Sequence, residues 1–564
     1  MFKKRWMTFC FTLVMAIAMV GCSNDNGGGP ATNGGGTGTA NSNGQGDKPL
    51  DKVTFTYFNA FSGKDVDTNQ TTIGKILEEQ TGVNFKIEHA VGDVNTKIGT
   101  MIASNEYPDV LVPDVAIDKV MDAGAFIPLN ELIDQYGPNI KRVYEPYFNL
   151  MKAEDGNIYF LPFGPIVGEE IPNPNGDDGA FWIQRRVLKE FGYPKIKTLD
   201  EYFDLIEEYA AKYPEEKLTG FLSLTHDWRF FAITNPPNHL MGYPNDGGVM
   251  VDMDTFEAND YADDEATKRW VKKLNEMNAK GLYDKSSFID NYDQYIEKLT
   301  SGKVLGYFDY GWQAGPATNN LKQAGDDDLR YFQLPLVFDE GIKDQYLPQS
   351  SFTNNRGIGI TVSAKDPVRI IQFFDNLLTD ENQVLSNWGV QGETYEVDEN
   401  GKFYRTPEQI ATTTGEEFRE SFGLKYFEYG WPRYGNGSTL ADGNSSTPGR
   451  QPSVAAAAYT EGDKLILEKY GATTFSDLFT EQDYRPWFPA WSIAIEQGTP
   501  ADIFNQKKSE LQKKYFPKMV LAEPDKFESV WDEYIREFNK LDVAAYEKTM
   551  TEKIKEKVAI VTGE

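Results

Sequence analysis

Aromatic side chains recur in stretches rich in Pro, Gly, Asn and Asp: Tyr57, Phe58 and Phe61, then Trp228, Trp312, Trp388, Trp431, Trp487 and Trp491. Flat apolar faces in polar loops suit a ligand with C–H faces and a rim of hydroxyls. Polar neighbours such as Asn59 and Arg356 would then satisfy the rim. Taken singly, each aromatic is also a candidate for the core. Covalent chemistry has less to draw on. The two cysteines, Cys10 and Cys22, fall in the first 22 residues, so the body has no thiol nucleophile, disulfide or thiolate metal site. His89, His226 and His239 lack metal-ligand spacing. Asp65-Val-Asp67-Thr-Asn69 opens like a calcium loop but lacks its glycine, and Ile76 stands where the closing glutamate belongs. No Gly-x-Ser-x-Gly elbow, His-Glu-x-x-His or phosphate loop occurs. Carboxylate pairs such as Asp263/Asp264 and Asp326–Asp328 are expected by chance among 86 acidic residues. No catalytic residue, metal or cofactor is therefore expected.

Trp312 is set apart by its position. Gly302 suits a helix C′ site, Val304 to Phe308 is a short apolar run bounded by glycines, and Tyr310-Gly-Trp312 then makes an aromatic turn. That turn is the carboxyl end of a strand, where ligands sit in open α/β sheets. The chain around it fits such a sheet. Strands are expected over 53–58, 83–88 and 109–112, with helices over 72–81 and 95–104 between them. This β-α-β-α-β order makes a parallel sheet covered by helices. Further on, a helix is expected over 181–191, and Thr198-Leu-Asp-Glu201 reads as a capping box. Phe527, Trp531, Tyr534 and Phe538 make a core-facing stripe on a late helix.

At 564 residues the chain is too long for one ordinary domain. A formal charge of -30 and a pI near 4.6 argue against nucleic acid as a partner. They also disfavour a strongly polyanionic ligand, unless a local basic cleft overrides the mean. At the start, Lys3, Lys4 and Arg5 precede an apolar run over 7–20 and then Gly21-Cys22. This is a signal peptide over 1–21, too short and wrongly flanked for a membrane span. Removing it takes the charge to -33. Residues 22–50 are mostly Gly, Asn, Thr and Ser, a flexible tether.

Several motifs then resemble one family. Ala18-Met-Val-Gly-Cys22 resembles the bacterial lipobox, with Met19 in place of the usual Leu. Met101-Ile-Ala-Ser-Asn-Glu-Tyr-Pro-Asp109-Val is similar to the helix and Pro-Asp-apolar strand of family 1 extracellular solute-binding proteins. Gly124-Ala-Phe-Ile-Pro-Leu129, Asp155-Gly-Asn-Ile-Tyr-Phe-Leu-Pro162 and Gly389-Val-Gln-Gly-Glu-Thr-Tyr395 follow in that family's order. Ile183-Gln-Arg-Arg-Val-Leu188 departs from the family's Arg, Asp and Trp, so roles tied to those side chains are not carried over.

The resemblance implies an α/β, two-lobe periplasmic-binding-protein-like fold, each lobe a mainly parallel sheet flanked by helices, joined by three crossovers. The expected N lobe is 51–163 plus 335–385, and the C lobe 164–334 plus 386–564. It implies a lipidated receptor, modified at Cys22, on the outer face of the cell membrane. This receptor would be a monomer that passes an oligosaccharide to the membrane subunits of an ABC importer without catalysis. The expected ligand contacts are Trp312, Trp228, Tyr57, Phe58, Asn59, Phe61, Arg356, Trp388, Trp431 and Trp487. Two other readings stay open: a surface glycoside hydrolase or lyase with a carboxylate pair in the same cleft, and a peptide-binding lipoprotein.

Overall fold

The computed structural model describes residues 51–562 except 177, 348 and 351. The expected signal peptide, tether and Cys22 lipidation site lie outside the described residues. The body from Leu50 onward is one compact unit. Its strands in chain order are β1 (Val53–Asn59), β2 (Val66–Asp67), β3 (Val83–His89), β4 (Val110–Val112), β5 (Phe160–Pro162), β6 (Gly179–Gln184), β7 (Thr219–Leu222), β8 (Val249–Val251), β9 (Ala258–Asp260), β10 (Val304–Tyr310), β11 (Tyr331–Leu334), β12 (Gly357–Ile360), β13 (Glu396–Val397) and β14 (Phe403–Tyr404).

The first sheet runs β2-β3-β1-β4-β12-β5, with β1 parallel to both β3 and β4. The expected β-α-β-α-β opening is present, with helices Thr72–Thr81 and Val94–Ser104 between the strands. The Pro-Asp motif has a physical task here. Buried Asp109 accepts from the Thr56 amide at 2.8 Å, the Thr56 hydroxyl at 2.7 Å and the Lys365 amide at 2.9 Å. One carboxylate thus ties β1 to β4 and to the turn after β12, as a buried charge must be tied.

The second sheet runs β11-β6-β10-β7. Gly179 to Gln184 is one of its two inner strands, which corrects the helix expected over 181–191. All six residues are buried, and an apolar run covered on both faces carries no periodicity to separate strand from helix. The helix begins only at Arg185 (Arg185–Glu190). β10 lies between β6 and β7 and is buried at all seven positions. Gly306 is required there, since a Cβ would stand 1.9 Å from the Tyr202 hydroxyl oxygen. The capping box is formed: Thr198 Oγ1 accepts from the Glu201 amide at 3.3 Å, and Glu201 accepts from the Thr198 amide at 2.9 Å, worth about 1 kcal/mol.

Each sheet has its own apolar core. That of the first sheet includes Phe55, Val110, Ile358 and Phe374, and it extends to Trp388, Phe403, Leu424, Trp431, Tyr434 and Val454. Residues 388–454 therefore pack on the first sheet, and the expected boundary after 385 does not coincide with the division between the cores. The second core joins Phe181, Phe221 and Phe308 to Ile466, Trp487, Phe516 and the stripe Phe527, Trp531, Tyr534 and Phe538. The chain passes between cores from β5 to β6, from β11 to β12, and from Val454 to Ile466. This is the two-lobe, periplasmic-binding-type architecture.

Candidate functional site

β10 ends where both lobes face a common cavity of 510 Å³. From the second lobe, Gly179, Tyr310, Trp312 and Trp491 line it; from the first lobe and its crossover, Phe163, Tyr429 and Arg433 do. Its size is that of a small-molecule site.

Trp312 does not sit in a turn, as expected, but in the first turn of a helix, Gly311–Ala324, that follows β10 directly. Asp309 fixes this junction from beneath. Its Oδ1 accepts from the Tyr310 amide at 2.8 Å and the Gln313 side-chain amide at 2.6 Å, and its Oδ2 accepts from the Tyr295 hydroxyl at 2.8 Å. Burial pushes the Asp309 carboxyl up to about 7, against the pull of those three donors. Its neighbour Tyr310 takes a hydrogen bond from Asn235 at 2.9 Å and lies 3.2 Å from His239 Nε2. Burial holds His239 down to about 3, so it is neutral.

Trp228 comes from the short helix Asp227–Phe230. Its ring lies 6.0 Å from that of Trp312, the planes 6° apart. Phe231 joins the stack, 5.9 Å from Trp228 and 6.4 Å from Trp312. Arg229 braces the group: its guanidinium lies 4.5 Å from the Trp228 ring and 4.4 Å from that of Tyr292, and it pairs with Asp227 at 3.1 Å. Trp228 and Trp312 nevertheless stay 59% and 57% exposed. Half-buried Arg229, Phe231 and Tyr292 thus brace two near-parallel indoles that keep a large exposed apolar area. A second cavity of 670 Å³ shares Trp228, Phe231, Asn245 and Trp491 with this region.

The other expected contacts go elsewhere. Trp388, Trp431 and Trp487 are core residues, at most 1% exposed. Their indole N–H groups donate to Ser445 O at 3.0 Å, Tyr426 O at 2.9 Å and Asp246 at 3.1 Å. Tyr57 packs edge-on against Trp431 and donates to Gly430 O. Gly430 takes φ +85° there, and a Cβ would meet that hydroxyl at 2.5 Å. Phe58 and Asn59 are also buried. Asn59 accepts from the Phe61 amide at 3.0 Å, a turn-shaping bond. Phe61 is half-buried beside the cleft, its ring 6.1 Å from Phe163 and 6.3 Å from Tyr429. Arg356 pairs with Asp114 at 3.2 Å and does not line the 510 Å³ cavity. Sequence reading missed Phe231, Tyr429 and Arg433. Tyr429-Gly-Trp431-Pro repeats the aromatic-Gly-Trp pattern of 310–312, but here the first ring faces the cleft and the tryptophan faces the core.

The chain belongs to the bacterial extracellular solute-binding protein family, whose model matches residues 72–393. The fructooligosaccharide ABC transporter substrate-binding protein FusA of Streptococcus pneumoniae is 28% identical over 352 residues. That match covers 58% of this chain and 61% of the relative, so the chain matches less than two thirds of that protein's length. Lipoprotein LipO of Bacillus subtilis is 21% identical across 85% of this chain and 89% of its own. Among solved structures, a FusA EF-hand mutant from S. pneumoniae in complex with fructo-nystose superposes with a TM-score of 0.64 at 20% identity, covering 90% of this chain and all of that one. At that identity the likeness establishes the two-lobe fold. The family's description is that of solute-binding proteins, and the name of FusA is that of a substrate-binding protein.

Proposed function

We propose that this protein is the extracytoplasmic receptor of an ABC importer, held to the membrane through lipid on Cys22, and that it captures an oligosaccharide between its lobes. The observation that carries this reading is the pair of parallel, exposed indoles of Trp228 and Trp312 at the carboxyl end of β10, beside a 510 Å³ cavity that both lobes line. Flat indole faces match the C–H faces of sugar rings, and Asn245, Gln345, Gln349 and Asn436 around the cavity can pair hydroxyls. The names of FusA and LipO support carbohydrate uptake and lipid anchoring respectively. The lobe boundaries we propose follow the cores: 51–163 with 357–454, and 179–334 with 466–562, the intervening segments being crossovers. Ligand would favour closure only by what it adds to the closed state. Binding without cleavage is supported by the family, whose description is that of solute-binding proteins, and by the name of FusA.

The test is a melting-temperature series on the compact body, residues 51–564, against plant and bacterial oligosaccharides and a set of short peptides, with chromatography of the sugar afterwards. Ligand at 100 times its Kd adds about 2.7 kcal/mol of stability. A shift with intact sugar is the expected result. Cleaved sugar would favour the hydrolase, and a shift with peptides alone would favour the peptide receptor.

A further inference from the structure

Trp487 and Trp491 share one loop and differ in what holds them. Trp487 is buried, with its N–H on Asp246. Trp491 is 46% exposed, and among the described residues its indole N–H has no acceptor and its ring stacks on no other. Its root, by contrast, is fixed. Asp246 accepts from the Ala490 amide at 2.7 Å as well as from Trp487, which ties the short helix Ala490–Ser492 to the loop over 244–248. On that loop Gly247 takes φ +76°, and a Cβ there would stand 2.8 Å from the Trp491 Cβ. The tryptophan is pinned at its base and open along its ring.

This ring stands where two cavities adjoin. Trp491, Phe231 and Asn245 line both the 510 Å³ cavity and the 670 Å³ one, and the stacked pair divides between them: Trp312 lines the first and Trp228 the second. The side-chain oxygen of Asn245 is engaged by Asn235 at 3.0 Å, so its amide nitrogen is the group left for a ligand at the shared wall. The helix Pro500–Val520 lines the 670 Å³ cavity with Asn505, Ser509 and Gln512, whose spacings of four and three put them on one face. Gln512 is 8% exposed, yet its amide has no hydrogen-bond partner among the described residues. A buried amide without a partner is costly, and a ligand that pairs it removes the cost. The charges around this cavity cancel. Asp227 pairs with Arg229 at 3.1 Å, Lys508 pairs with Asp260, and Glu510 and Lys513 are of opposite sign. What remains is aromatic faces with neutral amides and hydroxyls, the complement of an uncharged sugar.

We propose that the 670 Å³ cavity is a second saccharide compartment, and that the ligand is a neutral oligosaccharide long enough to run from the interlobe cavity past Trp491 onto the helix Pro500–Val520. This rests on the oligosaccharide reading above and adds the length and charge class of the chain. Trp491 supplies the ring at the crossing, and Gln512 pairs a hydroxyl of the distal units. A neutral chain also suits a protein of formal charge -30, whose mean field disfavours a polyanion. The lining of the 670 Å³ cavity falls within the second lobe as bounded above, so this end of the chain can be held before the lobes close.

The test is calorimetric titration of residues 51–564 with linear fructo-, xylo-, manno- and malto-oligosaccharides, each from the disaccharide to the hexasaccharide, and with oligogalacturonates of the same lengths. In the series that binds, affinity is expected to rise about 10-fold or more from the short members to the long, the combined worth of one stacked ring and one amide hydrogen bond. Gln512→Ala should flatten this rise, lowering affinity for the long members by about 5-fold and for the short members less. Ser509→Phe, which fills the compartment, is the second variant and should flatten the rise altogether. Melting temperatures without ligand report that each variant is folded. Affinity independent of chain length, a rise kept in both folded variants, or an equal loss for short and long members would overturn the second compartment and leave the oligosaccharide reading intact. Tighter binding of the galacturonates than of every neutral series would overturn the neutral class. No binding by any of these saccharides would remove both readings together.

Discussion

Trp312 and Trp431 each follow an aromatic residue and a glycine, yet the protein employs them in opposite ways. Trp431 is 1% exposed, donates its N–H to Tyr426 O, and packs among Tyr57, Phe85, Phe373 and Phe427. Trp312 lies near-parallel to Trp228 and Phe231, stays 57% exposed and lines the cleft cavity. The difference lies in what satisfies each ring. A tryptophan whose N–H is paired and whose faces are both covered has no surface left for a ligand. One that stays more than half exposed keeps apolar area for exchange with solvent or sugar. The contrast extends across the lobes, since Trp388 and Trp487 are employed like Trp431, and Trp228 like Trp312.

The contrast can be broken most forcefully from the core side. Trp431→Ala should destabilise the body by about 3–5 kcal/mol in urea denaturation, the cost of emptying a large buried site. A loss below about 1 kcal/mol would mean that this ring is not a core element. Next comes the buried ring beside Tyr310. His239 binds its proton less readily folded, at about 3, than an ordinary histidine at 6.5. Its contribution to stability is therefore present above pH 6.5 and is lost progressively as pH falls toward 3. Between pH 7 and pH 5 that loss is about 2 kcal/mol relative to His239→Gln. Nearby Asp309, raised to about 7, acts with the opposite sign between pH 4 and 7, so the wild type alone would not isolate the effect. Parallel stability-versus-pH curves for the two proteins would contradict it. Smallest is Trp228→Ala. Removing one ring of the exposed pair should weaken saccharide binding by about 5-fold to 10-fold, an aromatic pair's worth, with stability changed by less than about 1 kcal/mol. A core-like loss of stability would erase the distinction between the two groups of tryptophans.

Local patterns revealed the parts of the fold that local patterns determine. The opening β-α-β-α-β run, the Thr198 capping box and the stripe of the helix Phe527–Phe538 all have periodicities or caps that a short window contains. β6 was hidden because a strand covered on both faces is uniformly apolar. The site divided in the same way. The place of Trp312 at the carboxyl end of β10 was legible because it follows a glycine-bounded strand. Trp388, Trp431 and Trp487 misled because loops rich in Pro and Gly read as surface, whereas these loops fold inward and form core. The gathering of Arg405, Arg419, Arg433 and Arg450 around one 340 Å³ cavity was illegible, because they come together only as residues 388–454 pack onto the first sheet, and nothing in their spacing announces it.

The central claim is that the open indole pair is the ligand's stacking face, and Trp312→Ala tests it most directly. We would titrate wild type and variant calorimetrically with whichever saccharide raises the melting temperature, and record the melting of both proteins without ligand. The account predicts an unliganded melting temperature close to wild type and an affinity reduced about 30-fold or more, as for a central aromatic anchor. Unchanged affinity in a folded variant would contradict it and move the site away from the end of β10.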